Sequence, residues 1–387
     1  MTAATAKPAR RRRWPWVLAI LAMLLAAGAW WVNRQLEPNR LTARVLERVG
    51  TTLGLELTIN GTPEYALRPE PRLVLPNLTV RQPGAAAPLL TAVRAEVSLP
   101  WDTITGGESL VITRIALEQP ALSLAALADW QASRPAAPFE LPTLTSGLRV
   151  EQGSVIGDSW RMDALRLELP ELREGGPARL AAAGVFRQGA TTVDFDVTVS
   201  LPTAGMSSDF ASSGKGRLRV DALDVPWVIA ADGRFNAVGE AAQLDIAALM
   251  LDSQSPLPDM DTRGQARLGD PTTLRFQGAI KQWPEGWPTL PAPLSASTAP
   301  LSYTLAYEGK GDFSGPVTLD VMREDTVFKG QFVLAEMMTW LDAGDAAPLP
   351  PLAGTLSTPS MEVAGATLEG VTIQIEEDAP AEPERKP

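Results

Sequence analysis

The 387-residue chain contains no cysteine and no histidine. Without cysteine there is no disulfide, no thiolate nucleophile and no Cys-ligated metal. Without histidine there is no Ser-His-Asp triad, no imidazole base near pH 7 and none of the commonest zinc ligand. Charge is also sparse. Only 20% of residues are charged while 45% are hydrophobic, so the chain can bury a sizeable core. What is abundant is 34 prolines and 31 glycines, a composition that suits many short turns between strands better than long helices.

The N-terminus carries the strongest local signal. The stretch "RRRWPWVLAILAMLLAAGAWWVNR" holds an uncharged apolar run from Trp14 to Val32. Crossing ~30 Å of hydrocarbon takes roughly 17–25 such residues. Trp14 and Trp16 mark one end and Trp30 and Trp31 the other, as in a span held at both interfaces. A cleaved signal peptide is the rival reading, since Ala27 and Ala29 form an A-x-A-like site. Lys7 and Arg10 to Arg13 place residues 1–13 in the cytoplasm and the rest outside it. In a Gram-negative cell the expectation is an inner-membrane protein with a periplasmic domain. Residues 35–387 hold 28 basic against 45 acidic residues, a net charge of −17. Such a domain is repelled by phosphate backbones, which argues against nucleic acid as a partner.

Residues 33–54 read as a juxtamembrane helix. Pro38 suits its first turn, Gly54 its stop, and Leu41, Val45, Val49 and Leu53 form one stripe. It is either docked on the domain that follows or a lid over that domain's membrane-proximal end. From Leu55 onward the period becomes two. "AVRAEVSL" sets Val93, Ala95, Val97 and Leu99 against Arg94, Glu96 and Ser98. "DALRLELPEL" sets Leu165, Leu167 and Leu169 against Arg166 and Glu168, and "TTVDFDVTVSL" sets Val193, Phe195, Val197 and Val199 against Asp194, Asp196 and Thr198. "LSYTLAYEG", "PVTLDVM" and "GVTIQIEED" continue the pattern. This alternation means antiparallel sheet with one apolar and one wet face. "LAALADWQ" and "LAEMMTWLDAG" read as short helices, "WPEGWPTLPAPLSASTAP" as a loop, and 376–387 as a polar tail. The domain at 55–375 is therefore mainly β, with its sheet either closed into a sandwich or left curled and open.

Four motifs could carry chemistry. "GDSW", Gly157 to Trp160, resembles the nucleophile block of one hydrolase class, but Ser159 would lack a histidine base; a strand-to-strand turn is the better reading. "DMDTRG", Asp259 to Gly264, resembles the start of a calcium loop, yet Arg263 stands where a ligand belongs; an acidic hairpin turn is preferred. "GKGDFSG", Gly309 to Gly315, is mis-spaced for a dinucleotide loop and reads as a hairpin connection. Asp194 and Asp196 could pair for glycoside chemistry, but alternating polar residues on a wet face are far commoner. The expectation is no catalytic residue, no metal and no cofactor.

The segment "VLERVGTTLGLELTINGTPEYALRPEPRLVLPNLTVRQ" resembles the N-terminal module of the bacterial AsmA family, in which a single span is followed by a helix, a Gly-containing turn, a hairpin and a strand. The likeness continues through "APLLTAVRAEVSLPWDTITGGESLVITRIALEQPALSL", where "IALEQPALSL" is similar to the family's Leu-x-x-Pro-x-Leu-x-Leu hairpin, and returns in "LPPLAGTLSTPSMEVAGATLEGVTIQIEED". It covers about residues 14–130 and those after 335. The resemblance implies a long twisted antiparallel sheet curled into a U-shaped groove with an apolar floor. It also implies binding or transfer of phospholipid acyl chains for envelope maintenance, with the inner membrane and outer-membrane or other envelope proteins as partners. Leu165, Leu167, Leu169, Val193, Phe195, Val197 and Val199 would line the groove. The alternative is a structural or assembly factor, similar to the inner-membrane N component of type II secretion. An N-in anchor leaves everything after Val32 open to protease added to spheroplasts; a protected domain would reverse the orientation.

Overall fold

The computed structural model describes residues 46–376 apart from 48–49, 52, 67–70, 99–112, 135–140, 142, 238–240, 286, 288, 291, 344–349 and 364–365. The anchor with Trp14, Trp16, Trp30 and Trp31, most of the 33–54 helix, Leu99 and the tail from residue 377 lie outside the described residues. Among the described residues no helix is long and apolar enough to cross a membrane.

Alternating sequence becomes strand almost throughout. Strands β1 (Glu56–Ile59) and β2 (Glu64–Ala66) both pair with β3 (Arg72–Arg81), and β3 pairs with β4 (Leu90–Ser98). Two short strands, β5 (Arg114–Glu118) and β6 (Ala121–Ser123), follow one another along β4. Helix α1 (Leu124–Ala132) begins at Ser123, whose hydroxyl accepts from the Ala126 N–H at 3.3 Å, the usual service of a serine N-cap. After α1 the chain returns as β7 (Leu148–Ile156), parallel to β5 and β6. Periodicity does not reveal this one parallel crossover.

From β7 onward each strand is antiparallel to the one before it. The meander runs through β8 (Arg161–Leu169), β9 (Ala178–Gln188), β10 (Thr191–Leu201), β11 (Ser207–Val220), β12 (Leu223–Asn236) and β13 (Ala242–Ser253). It continues with β14 (Asp259–Leu268), β15 (Thr272–Gln282), β16 (Leu301–Gly309), β17 (Pro316–Arg323) and β18 (Thr326–Val333). Helix α2 (Leu334–Ala343) precedes β19 (Leu352–Val363) and β20 (Ala366–Ile375). The result is one sheet of 20 strands. It is open: among the described residues β20 pairs only with β19, and β1 and β2 only with β3.

Two expectations are corrected. Val93 does not share a face with Ala95 and Val97. Asn77 takes φ 45° in β3, its pairing with Val93 drops out of the ladder there, and Ala92 is buried while Val93 is 50% exposed. Asp259 to Gly264 form neither a metal loop nor a hairpin turn; they are the first six residues of β14. Elsewhere bulges keep the apolar residues in phase. Ala164, at φ 50°, is the extra residue between the pairs Asp163–Val185 and Arg166–Ala183, so Met162 and Leu165 reach the same face despite odd spacing.

The densest core lies at the N-terminal end. Leu73, Leu75, Leu78, Val80 and Ala95 form a buried cluster against Leu57, Ile59, Tyr65 and Leu117. Leu46 also packs on it, from a helical segment that ends where Gly54 takes φ 62°. The chain entering β1 is tied to α1 by the Trp130 indole, which donates to the Leu53 carbonyl at 2.9 Å. The sheet has a second layer here, and the residues beneath it are dry. Truncation should therefore cost very different amounts along one face. Leu75→Ala is expected to lose about 2–5 kcal/mol of unfolding free energy. Val197→Ala, on the half-buried face of β10, should lose about 1 kcal/mol or less, because little apolar area leaves water there. Equal losses in denaturant titrations would mean that β10 is covered as fully as β3.

Candidate functional site

Residues directly opposite each other on paired strands point to the same side of a sheet, so register decides which side chains meet. One row begins at Leu75 and passes through Ala95, Leu117 and Val150 to Leu167. Leu167 lies opposite Ala182, Ala182 opposite Val197, Val197 opposite Gly214, and Gly214 opposite Ile229. The row goes on through Leu251, Met260 and Ile280 to Leu301. It crosses thirteen strands, β3 to β16 with β6 left aside, and meets no polar side chain. At about 4.8 Å per strand it is on the order of 60 Å long, measured along the sheet.

The seven residues singled out from sequence lie together on this face. Leu165, Leu167 and Leu169 come from β8, and Val193, Phe195, Val197 and Val199 from β10, with β9 between them. Leu165 is buried, at 9% exposure; the other six are only half-buried. A second layer like the one over β3 would dry them.

Glycine and aromatic residues alternate across the same face. Phe195 stands between Gly184 on β9 and Gly216 on β11. A Cβ on Gly184 would come within 3.1 Å of the Phe195 ring, and one on Gly216 would overlap both the Trp227 ring and the Asp194 carbonyl. Phe276 lies over Gly264 in the same way, and Phe328 over Gly330 and Gly354. Rings lying over bare glycine backbone cover it and leave room for neighbouring strands to approach closely. Polar groups on this face are few, and among the described residues the Tyr65 hydroxyl is buried there without a hydrogen-bond partner. The Tyr303 hydroxyl reaches across Gly278 to the Thr262 hydroxyl, and burial raises the Tyr303 pKa.

The opposite face is a ladder of charges. Arg217 donates to Asp224 at 2.8 Å, Arg234 to Asp209 at 2.7 Å and Lys281 to Asp259 at 2.8 Å. Asp194 is paired with Arg219, and Asp196 stands opposite Lys215, so the two aspartates sit among cations rather than facing one another. The Arg234 hydrogen bond holds the Asp209 carboxyl below the usual aspartate range, and Arg217 does the same for Asp224. A shallow depression of about 720 Å³ lies over the polar row Arg263, Gln277, Thr304, Asp320 and Lys329.

The remaining motifs are turns. Ser159 is exposed in the β7–β8 connection, where the Gly157 N–H donates to the Trp160 carbonyl at 2.9 Å and the Trp160 ring packs on Phe186 at 5.6 Å. Gly309 to Gly315 close the β16–β17 hairpin, with the Tyr307 hydroxyl donating to the Lys310 carbonyl at 2.6 Å. Among the described residues no three carboxylates are grouped to hold a metal ion.

No family model, no curated protein and no solved structure matches this chain. The candidate site therefore stands on its own geometry. Sequence reading missed the glycine–aromatic pairs, although glycine at alternate positions in "AAAGVF", "SGKGRL" and "ADGRF" carries the signal.

The depressed carboxyls give the charged face a pH signature. A folded-state pKa below the unfolded one stabilises the fold above the unfolded pKa, and that contribution is lost as pH falls through the folded value. In a carboxyl NMR titration, Asp209 should therefore have its midpoint below the ordinary 3.8, and Arg234→Gln should return it towards that value. An unshifted midpoint in the parent chain would show that the pair does not persist in solution.

Proposed function

We propose that this chain binds lipid along the apolar face, as a membrane-anchored exported protein serving the cell envelope. The observation that carries the reading is the thirteen-strand apolar row, half-exposed along β8 to β10. Exposed apolar patches of this extent mark interaction surfaces in soluble proteins. Acyl chains fit the chemistry. Each CH₂ moved out of water is worth ~0.8 kcal/mol. A bilayer core ~30 Å thick holds two layers of chains, so a row on the order of 60 Å could hold several chains in succession.

In this reading the sheet is curled into a U-shaped groove with the apolar row as its floor. The glycines that admit close strand approach permit the curl. The charged ladder stays outside in water. The span at Trp14 to Val32 holds one end at the inner membrane, and the far end faces outer-membrane or envelope proteins. The motif likeness to the AsmA family supports this arrangement, and membership of that family is part of the proposal. The protein acts as a binder or carrier rather than an enzyme, since the chain offers no histidine or cysteine, Asp194 is paired with Arg219 and Asp196 stands opposite Lys215.

The test is Phe195→Asp. On an open groove the carboxylate reaches water, so the melting temperature should hold within a few degrees while co-purifying lipid, read by native mass spectrometry, disappears. In a closed sandwich an unpaired buried carboxylate costs several kcal/mol and the domain unfolds. A parent chain that purifies without lipid, together with an unfolding mutant, would rule the groove out.

A further inference from the structure

The sheet ends on two edges of different character. At the N-terminal end, β1 and β2 share the outer side of β3. They are four and three residues long, each opens on a glutamate, and Asn60 to Pro63 separate them. Short, interrupted edges of this kind offer little for another chain to pair with. At the other end β20 runs for ten residues, and among the described residues it pairs with β19 alone. Gly370, at φ 63°, divides it. Beyond that glycine, Val371 to Ile375, "VTIQI", form an unbroken segment with no charge and no proline. Val371, Ile373 and Ile375 are half-buried on the side of Leu356, while Thr372 and Gln374 are exposed on the other. Leu356 is only 4% exposed, so the apolar face continues up to the edge itself.

Every second residue of an edge strand turns its N–H and C=O outward. Natural sheets blunt such a row with lysine, proline or an inward-pointing charge, and Val371 to Ile375 carry none of these. Only an extended backbone presents donors and acceptors at the matching spacing. The chain's own residues 377–387 are chemically unsuited to the place. Pro380, Pro383 and Pro387 lack the N–H that a strand donates, and Glu377, Asp378, Glu382 and Glu384 would be brought beside Glu369 and Glu376. A second copy is unsuited for a geometric reason, once Trp14 to Val32 is taken as the anchor. Two sheets joined at β20 point their β1 ends in opposite directions, away from any one membrane. Joined head to tail, the second sheet would carry its anchor on the order of 80 Å from the first, at about 4.8 Å per strand.

We propose that Val371 to Ile375 form a docking edge, which takes an extended strand of another envelope protein into the sheet. The partner strand has apolar residues at alternate positions, set opposite Val371, Ile373 and Ile375. It has polar residues opposite Thr372 and Gln374, and a lysine or arginine at an end to meet Glu369 or Glu376. Docking lengthens the apolar face by one strand. The choice of a foreign strand over a second copy rests on the membrane-anchored reading; the exposed edge does not.

The probe is the end-blocked peptide Lys-Val-Thr-Val-Thr-Val-Thr-Val-Lys, added to the full-length chain. Binding is read by residue-resolved amide hydrogen exchange and by native mass spectrometry. Without peptide, alternate amides between Val371 and Ile375 should exchange fast, while those bonded to β19 are protected. One peptide per chain should bind and protect the fast set. The same peptide N-methylated at every valine and threonine keeps its side chains, loses those donors and should not bind. Ile373→Lys places an inward charge on the edge and should weaken peptide binding about tenfold, with the melting temperature retained. If that variant loosens β20, the N-methylated peptide still decides. A fast set left unprotected by the peptide, or equal binding of the N-methylated peptide, overturns the docking edge. Protection of both amide sets before peptide is added overturns it as well. A dimer in the mass spectrum then assigns the edge to a second copy, and a monomer assigns it to residues 377–387. Lipid carried by the same preparation is read separately, so failure of the edge and failure of lipid binding are distinguishable.

Discussion

The cross-strand register of a continuous antiparallel meander is the constraint on which everything else depends. Each hairpin fixes its own register, and each register passes the same parity to the next strand. A slip of one residue between β9 and β10 would carry Val193 to Val199 to the charged side and bring Asp194 and Asp196 inward. The bulges at Ala164 in β8 and at Ala247 and Ala248 in β13 preserve that parity where the spacing of apolar residues is odd. The apolar row is thus a property of the whole ladder and of no single strand.

Covering differs along the ladder, and so does the role of the apolar face. Over β3 and β4 the helical segment around Leu46 supplies a second layer, and the leucines beneath it are dry. Along β8 to β11 the face is mostly half-exposed, with rings laid over glycines in place of a packed layer, whereas Ile280 and Leu301 at the far end of the row are buried again. The first region has the character of a folding core. The second is a half-buried apolar surface, and at its far end the connection between β15 and β16 is tied to β17 by the Arg323 hydrogen bonds to the Leu294 and Ser297 carbonyls.

Much of this architecture is legible in the residues alone. "DALRLELPEL" and "TTVDFDVTVSL" declare which residues share a side, because side-chain alternation is local and needs only the strand. The turn readings of "GDSW" and "GKGDFSG" follow from the same local chemistry. Alternation misplaces Val93 because the positive φ at Asn77 lies on another strand. It misplaces "DMDTRG" because a charged edge of β14 reads like a loop when its partner Lys281 is 22 residues away. The parallel return of β7 is likewise hidden, since pairing partners across a crossover leave no period in the chain.

By itself the sequence determined the class, mainly β, the two faces of most strands, the exclusion of histidine and cysteine chemistry and the net charge. These are sums or nearest-neighbour patterns, and they survive any arrangement of the strands. Only the tertiary structure decided that twenty strands form one sheet, that the apolar residues line up across thirteen of them, and that Arg323 lies buried against the Leu294 and Ser297 carbonyls. Each of those depends on which segments meet, and meeting is fixed by hydrogen-bonded register and by loops folding over distant strands, which no local window of sequence contains.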